Sequence, residues 1–407
     1  MFVRAVGAWT PMRPQGASWR ESLPLLLAGE TAVREVTHFD TAGFPSRVAA
    51  WIGDDAVAAA CDRRAALTTR ALEEIEAEVE LAALAGPKLG VFLGAESGRA
   101  SPAAILRLAH AAAPAGTFDH AAFVAHAAAA AGAAAAVAAR SVSPAAVASA
   151  LAARLGALGP VHTVSLACAS GASAIVSAVR QLRAGACDAA IAGGVGADVD
   201  PFMLVGFGKL GALSGSGLSR PFDRARDGFV VGEGAALVLL TTEPPDGDEV
   251  FEISGVGASL DGFHLTAPHP QGDGAERAMR AALRESGRSQ VDYVQAHGTS
   301  TALNDAAECA ALARVFEQPV QPGRPLVSSI KGAVGHWIAG AGAIGFLCAV
   351  EALRGNVLPT AGLTHPDDTC PGQHVMGAGR TGLALQSALC NAFAFGGANA
   401  SLLVERR

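Results

Sequence analysis

Along the chain, short, largely apolar runs of β type alternate with longer runs in which alanine and leucine recur at helical spacing. The apolar runs fall at residues 88–93, 161–166, 188–191, 235–240, 250–256, 293–296, 326–330 and 401–405. Their alternation with helical runs predicts an α/β architecture with strands covered on both faces. One helix is well delimited: Ile175, Val176, Val179 and Leu182 share a face before the stop at Gly185. The polar cluster at 242–248 is the best internal boundary and divides the chain into 1–243 and 244–407. Glycine-rich corners close apolar runs in both halves, at 90–98 and 189–196 and again at 293–301 and 390–399, which hints at a duplicated unit.

Two segments imitate other signals. Residues 121–139 are uncharged but almost entirely alanine, with His126 and Gly132 among them. Alanine gains too little on transfer to lipid for a spanning helix, so a tightly packed helix or a local insert is expected. Residues 340–345 spell GAGAIG and match a dinucleotide-binding glycine pattern, but no strand precedes them and they lie inside a small, apolar run from 335 to 353. They read as close helix packing.

Composition narrows the function. Apolar residues make up 51% of the 407 positions and charged residues 16%, and the net charge is −7. Such a chain has no general attraction for nucleic acid or anionic lipid, and aromatic residues at 5% (16 Phe, 4 Trp, 1 Tyr) give little for bases to stack on. The first residues lack a basic stretch followed by an apolar run and a cleavage site, so a cytoplasmic location is expected. Seven scattered cysteines without a CxxC pair suit neither a disulfide framework nor a thiolate metal site, and no metal is expected.

Candidate chemistry lies at the corners. Residues 161–173 read as a buried strand, a sharp bend carrying Cys168, and a helix. A thiol at a helix N-terminus is placed to ionise and to act as a nucleophile beside oxyanion-binding N–H groups, although a buried structural cysteine fits the same pattern. Cys187 and Cys348 read as structural thiols on apolar helical faces. His297 opens HGTST, and His336 closes SSIKGAVGH, both at glycine-rich strand ends. One thiol and two imidazoles at such corners suggest covalent acyl chemistry, while each histidine alone fits a hydrogen-bonded structural role. Lys331 and Glu308 sit among apolar residues, so a buried pair of the two is expected, orienting the imidazoles. The NAFAFGGAN corner at 391–399 gathers backbone N–H groups beside Phe395, and a tight turn explains it equally well.

Taken in order, ACASG around Cys168, SRPFDRARDGFVVGEG at 219–234, HGTSTALNDAAE, SSIKGAVGH and FAFGGAN resemble the elongating β-ketoacyl-acyl-carrier-protein synthases, over nearly the whole chain. The resemblance implies a thiolase-like fold, a duplicated half in a layered α-β-α-β-α arrangement, and a dimer. It implies that Cys168 carries an acyl chain and that His297 and His336 decarboxylate malonyl-carrier protein and stabilise the enolate. Backbone N–H groups of Cys168 and Phe395 would form the oxyanion hole. Thr299, Thr301, Phe207, Phe395 and Gly396 would line the path of substrate and pantetheine. No bound cofactor is implied, because the phosphopantetheine arm arrives on the acyl carrier protein.

The chain departs from the family pattern at the gates. Ala394 replaces the first glycine of the usual GFGGTN corner, which restricts φ there. Val334 and Trp337 flank His336 where other residues are usual, so a narrower or differently shaped tunnel is expected. The stretch 206–213 resembles a second gating loop, with Gly211 where an arginine is frequent, which shifts carrier contact to Lys209. Arg63 and Arg64 are further carrier contacts, or else an exposed solvated pair. These changes favour a specialised polyketide or polyene pathway over primary fatty-acid synthesis. The alternatives are a non-catalytic chain-length-factor-like subunit of a ketosynthase heterodimer, which would lack the nucleophile, and a thiolase, which would need a second catalytic cysteine.

Overall fold

The computed structural model describes residues 1–60, 62–98, 102–113, 116–130, 142–316 and 325–407. Cys61 and residues 131–139 of the alanine-rich segment lie outside them, and residues 120–130 of that segment are helical. No helix among the described residues is long and apolar enough to cross a membrane.

The first half contributes β1 (Phe2–Thr10), α1 (Arg63–Glu78), β2 (Leu89–Gly94), β3 (Val161–Val164), α2 (Ser170–Arg183), β4 (Ala189–Ala197), α3 (Pro201–Lys209) and β5 (Glu233–Thr241). The second contributes β6 (Phe251–Leu260), α4 (Asp273–Ser286), β7 (Tyr293–Gln295), α5 (Ala302–Phe316), β8 (Leu326–Ser328), α6 (Ala341–Leu353), a short β9 (Gln373–His374), β10 (Ser387–Phe393) and β11 (Ala398–Arg406). All eight runs contain strands, but β3 corrects the expectation of burial: it is the end strand of the sheet, with Val161 and His162 exposed rather than covered on both faces. Three of these strands escape the pattern: β1, the two-residue β9 and most of β10. β1 is interrupted by exposed Arg4 and by Gly7, whose missing side chain admits α1: a Cβ there would lie 2.3 Å from the carbonyl oxygen of Ala71.

Strand order exposes the duplication. Eleven strands of one sheet run in the order β9-β8-β7-β10-β11-β6-β1-β5-β4-β2-β3, and the two residues Ala17–Ser18 pair with β1 off this path. Leaving out the two-residue edge strand β9 and numbering the rest within its own half, each half runs third, second, fourth, fifth, first. In both, the first three of these pair in parallel and the last two join antiparallel. The halves meet where Phe2 and Val3 of β1 pair with Glu252 and Phe251 of β6.

Helices α2 and α6 pack on each other and on the strands of both halves, forming the middle layer, while α1 covers the first half and α4 and α5 the second. This is the layered thiolase-like α-β-α-β-α arrangement. Glycines set the closeness of the middle layer: a Cβ on Gly342 would lie 2.7 Å from the Ala172 nitrogen, and one on Gly171 2.9 Å from the Ala339 oxygen. The GAGAIG run is thus a helix-packing surface that leads into α6, as its apolar setting indicated. Parallel strands β2, β3, β7, β8 and β10 direct their carboxyl ends to one region, where sites form in open α/β sheets.

Candidate active site

Cys168 sits in a single 3₁₀ turn (Ala167–Ala169) between β3 and α2. The residue before it, Ala167, has φ +46°, a left-handed conformation that costs an L-residue about 1–2 kcal/mol. His297 follows β7, and Gly298 after it has φ +38° in a space where a Cβ would lie 2.7 Å from the Ser329 side chain. Lys331 opens the short helix after β8, and His336 ends the same corner. Phe395 lies in the turn between β10 and β11, where the positive φ values fall on Gly396 and Gly397. Ala394 keeps an ordinary φ, and its N–H donates to the Ala398 carbonyl at 2.8 Å, so the alanine fits this turn without strain.

These corners converge. The Cys168 sulfur and one nitrogen from each of His297 and His336 lie within 4.8 Å of one another, all buried. Lys331 Nζ is 3.3 Å from His297 Nδ1 and also donates to the His297 carbonyl. His336 Nδ1 accepts the Ile338 N–H at 3.1 Å. With Nδ1 an acceptor in both rings, each neutral imidazole carries its proton on Nε2. Burial, followed by the Lys331 charge, holds both rings well below the ordinary histidine range, so they are neutral. They present N–H donors to the cavity rather than lone pairs, which is the chemistry of an oxyanion site and not of a metal site.

Cys168 corrects the sequence reading. Burial pushes its thiol up to about 12, against the opposing pull of the Lys331 charge and a hydrogen bond from the Phe395 N–H. Position at the start of α2 therefore does not yield a resting thiolate, because desolvation outweighs the helix end. Glu308 and Lys331 also differ from expectation. They do not pair; they grip His297 from two sides. Glu308 accepts the N–H groups of His297 and Gly298, each at 2.8 Å, while Lys331 holds the carbonyl and ring. Burial raises Glu308 to about 7 and lowers Lys331, as it must for charges that lack a direct partner of opposite sign.

A cavity of about 260 Å³ opens on this cluster and is lined by Cys168, His297, His336, Thr299, Thr301, Phe207 and Phe395, among others. Thr299 and Thr301 share a hydroxyl hydrogen bond of 2.9 Å. Gly396 is exposed in the adjacent turn. Trp337 does not line the cavity. Its indole is fully buried against Gly232 and Gly234 and donates to the Val334 carbonyl, so it fills the core instead of narrowing the tunnel.

The basic residues divide. Residues 206–209 belong to α3 rather than a loop, with Phe207 buried and Lys209 exposed at the helix end. Arg63 and Arg64 are no exposed pair. Arg63 bonds Glu233 through Nε at 2.8 Å, and Arg64 is buried, bonded to Asp62 and to the Glu96 carbonyl. Both guanidinium groups are committed to internal partners, which removes the ground for carrier contact at these two positions. Cys348 lies in α6 as expected, but Cys187 is in the loop before β4 rather than on a helix.

Sequence reasoning missed three contributors. Phe229 stacks edge-on to His336 at 5.0 Å and to Phe207 at 5.3 Å, and Phe393 lies 5.8 Å from His297. Asp305 is buried and accepts the N–H groups of Thr299, Ser300 and Phe222 at 2.8–3.1 Å, fixing the HGTST corner. All three stand inside motifs already quoted; the partners of Phe229 and Phe393 are distant in sequence, while Asp305 serves Thr299 and Ser300 of its own motif as well as distant Phe222.

Two family models cover most of the chain: "Beta-ketoacyl synthase, N-terminal domain" matches residues 6–245 and the C-terminal domain of the same name residues 250–363. A 3-oxoacyl-(acyl-carrier-protein) synthase 2 from Coxiella burnetii is 31% identical over 97% of this chain and 96% of its own length. A mitochondrial 3-oxoacyl-(acyl-carrier-protein) synthase from Arabidopsis thaliana is 38% identical, and there the match spans 61% of this chain and 57% of the relative, less than two thirds of its length. Among solved structures, a β-ketoacyl synthase from Burkholderia phymatum has a TM-score of 0.80 at 27% identity, covering 100% of this chain and 99% of the other. The ishigamide ketosynthase/chain length factor gives 0.84 at 26% identity, covering 100% and 98%. With both halves matched and its full length paralleled in a bacterial relative, the chain belongs to the β-ketoacyl synthase family.

Proposed function

We propose that this chain is a β-ketoacyl-acyl-carrier-protein synthase that elongates a fatty-acid, polyketide or polyene chain as a discrete enzyme. The observation that carries the reading is the clustering of the Cys168 sulfur with two neutral imidazoles whose Nδ1 atoms are already occupied. Acyl transfer joins Cys168 sulfur to the acyl carbon and releases the carrier's pantetheine thiol, which takes the cysteine proton. Phe395 N–H, already directed at the sulfur, and Cys168 N–H are the donors assigned to that oxyanion. Malonyl thioester then loses CO₂ while its carbonyl oxygen accepts from the Nε2–H groups of His297 and His336. Two neutral donors stabilise the enolate, and the departing CO₂ makes the step favourable. The enolate attacks the acyl carbon, Cys168 leaves as thiolate, and the product is a β-ketoacyl thioester two carbons longer.

Thr299, Thr301, Phe207 and Gly396 are assigned to the pantetheine and substrate path, and Lys209 to the acidic carrier protein. The pantetheine arm comes with that carrier. The repeat of strand order supports two units at 1–243 and 244–407. A dimer is supported by β3, the last strand of the sheet, whose free edge is accompanied by exposed Leu158, Val161 and Leu166. The partner is a second copy or a chain-length-factor-like paralogue. Retention of Cys168 speaks against the non-catalytic role for this chain. The six described cysteines are unpaired, which suits the cytoplasm.

Intact-mass measurement after incubation with a panel of acyl-carrier thioesters tests the reading. It predicts a stable adduct of one acyl group at Cys168, and an adduct elsewhere, or none with any donor, overturns it.

A further inference from the structure

We infer that Glu96 is the positioning residue of the nucleophile corner: its carboxylate holds Ala167 in the left-handed conformation that aims Cys168 into the cavity. Glu96 lies two residues beyond β2, beside the end of β3. One carboxylate oxygen accepts the Ala167 N–H at 3.0 Å and faces the Ser170 hydroxyl at 3.3 Å. The other accepts the Ser165 hydroxyl at 2.8 Å. A single side chain thus ties the residues on both sides of the bend. Ser170 completes the clamp, accepting the Leu166 N–H at 2.8 Å while its hydroxyl lies 2.7 Å from the Ala167 carbonyl.

The strain at Ala167 gives the clamp its purpose. An alanine at φ +46° relaxes unless its neighbours over-determine it, and relaxation there would swing the next residue, Cys168. Glu96 is itself anchored. Buried Arg64 donates to the Glu96 carbonyl and to the Ser143 carbonyl, and Asp62 holds the guanidinium at 2.7 Å. The chain of contacts therefore runs from Asp62 through Arg64 and Glu96 to the bend. It explains why Arg64 points inward in a chain where it resembled a surface base. Glu96 also brings a negative charge near the sulfur, which together with Asp198 opposes thiolate formation. The clamp gains geometry at a cost in reactivity.

The inference rests on Cys168 as acyl acceptor, so the test combines a substrate-dependent and a substrate-free readout. Steady-state acyl transfer, malonyl-carrier decarboxylation and iodoacetamide alkylation of Cys168 at pH 8 are measured for the wild type, Glu96→Ala and Glu96→Gln. Glutamine retains an oxygen for the Ala167 N–H but removes the charge. Glu96→Ala is expected to lower kcat for acyl transfer by roughly ten- to a hundredfold, with KM and decarboxylation within about twofold of wild type. Glu96→Gln is expected to recover kcat to within about threefold and to be alkylated faster than wild type. Wild-type kcat in Glu96→Ala, or a parallel fall of acyl transfer and decarboxylation in both variants, overturns the inference. If the wild type transfers no acyl group at all, the ketosynthase reading fails. Alkylation of Glu96→Gln then still decides whether Glu96 acts on the sulfur, an unchanged rate contradicting it.

Discussion

Lys331 Nζ lies 3.3 Å from Nδ1 of His297 and donates to the carbonyl of the same residue, so one ammonium fixes both the position and the tautomer of the ring. Its charge also opposes the burial that suppresses Cys168 ionisation. Lys331→Met should therefore impair both half-reactions. Malonyl decarboxylation is expected to fall by about 10–100-fold, the usual effect of removing a residue that orients a functional group. Iodoacetamide should react more slowly with Cys168 at pH 8, because the thiol rises further when the ammonium is lost. Unchanged decarboxylation in a folded variant would show that the lysine does not set the tautomer.

Replacing the nucleophile separates the steps differently. Cys168→Gln removes the acyl acceptor but leaves both imidazoles, so condensation should vanish while decarboxylation persists at the wild-type rate or above. His336→Ala should lose decarboxylation. Retention of full decarboxylation by His336→Ala would break the assignment of the pair.

Buried neutral histidines give stability a pH dependence of known sign. The folded-state values of His297 and His336 lie well below 6.5, so the unfolded chain binds protons first as pH falls. Their contribution is complete above about pH 6.5 and is lost on acidification, at about 1.4 kcal/mol per pH unit for each ring until the folded-state value is reached. Urea unfolding at pH 7.5, 6.5 and 5.5 should show this decline, and His336→Asn should reduce its slope by one ring's share. Equal slopes for the two proteins would mean that His336 is not buried neutral.

Trp337 separates core from tunnel. Its fully buried indole rests on Gly232 and Gly234, so Trp337→Ala is expected to cost about 3–5 kcal/mol of stability. Because Trp337 does not line the cavity, Trp337→Phe should leave the distribution of product chain lengths unchanged. A shifted distribution, read by mass spectrometry of the products, would return the residue to the tunnel wall.

The strands, the corner positions of Cys168, His297 and His336, and the helix-packing role of the GAGAIG run were legible because each depends on local pattern. The strands are largely apolar, and reactive groups stand where such runs end. What was not legible depends on long-range burial. Cys168 reads as an activated thiol beside a helix, but the apolar residues that enclose it come from many segments, and their desolvation dominates. Arg63 and Arg64 resemble a surface pair because Glu233 and the Glu96 carbonyl are far away in sequence. Glu308 and Lys331 look like mutual partners, whereas each serves a different atom of His297. Strand β1 was hidden by Arg4 and Gly7, the one exposed at the surface and the other making room for α1.

The most direct test of carbon–carbon bond formation at this site uses malonyl-carrier protein labelled with ¹³C in all three malonyl carbons, together with an unlabelled acyl-carrier thioester. The account predicts one labelled CO₂ released per product and a β-ketoacyl thioester carrying label only in the two carbons next to the sulfur, with no such product from Cys168→Gln. Labelled CO₂ released without any labelled chain, or a chain lengthened equally by Cys168→Gln, would contradict it.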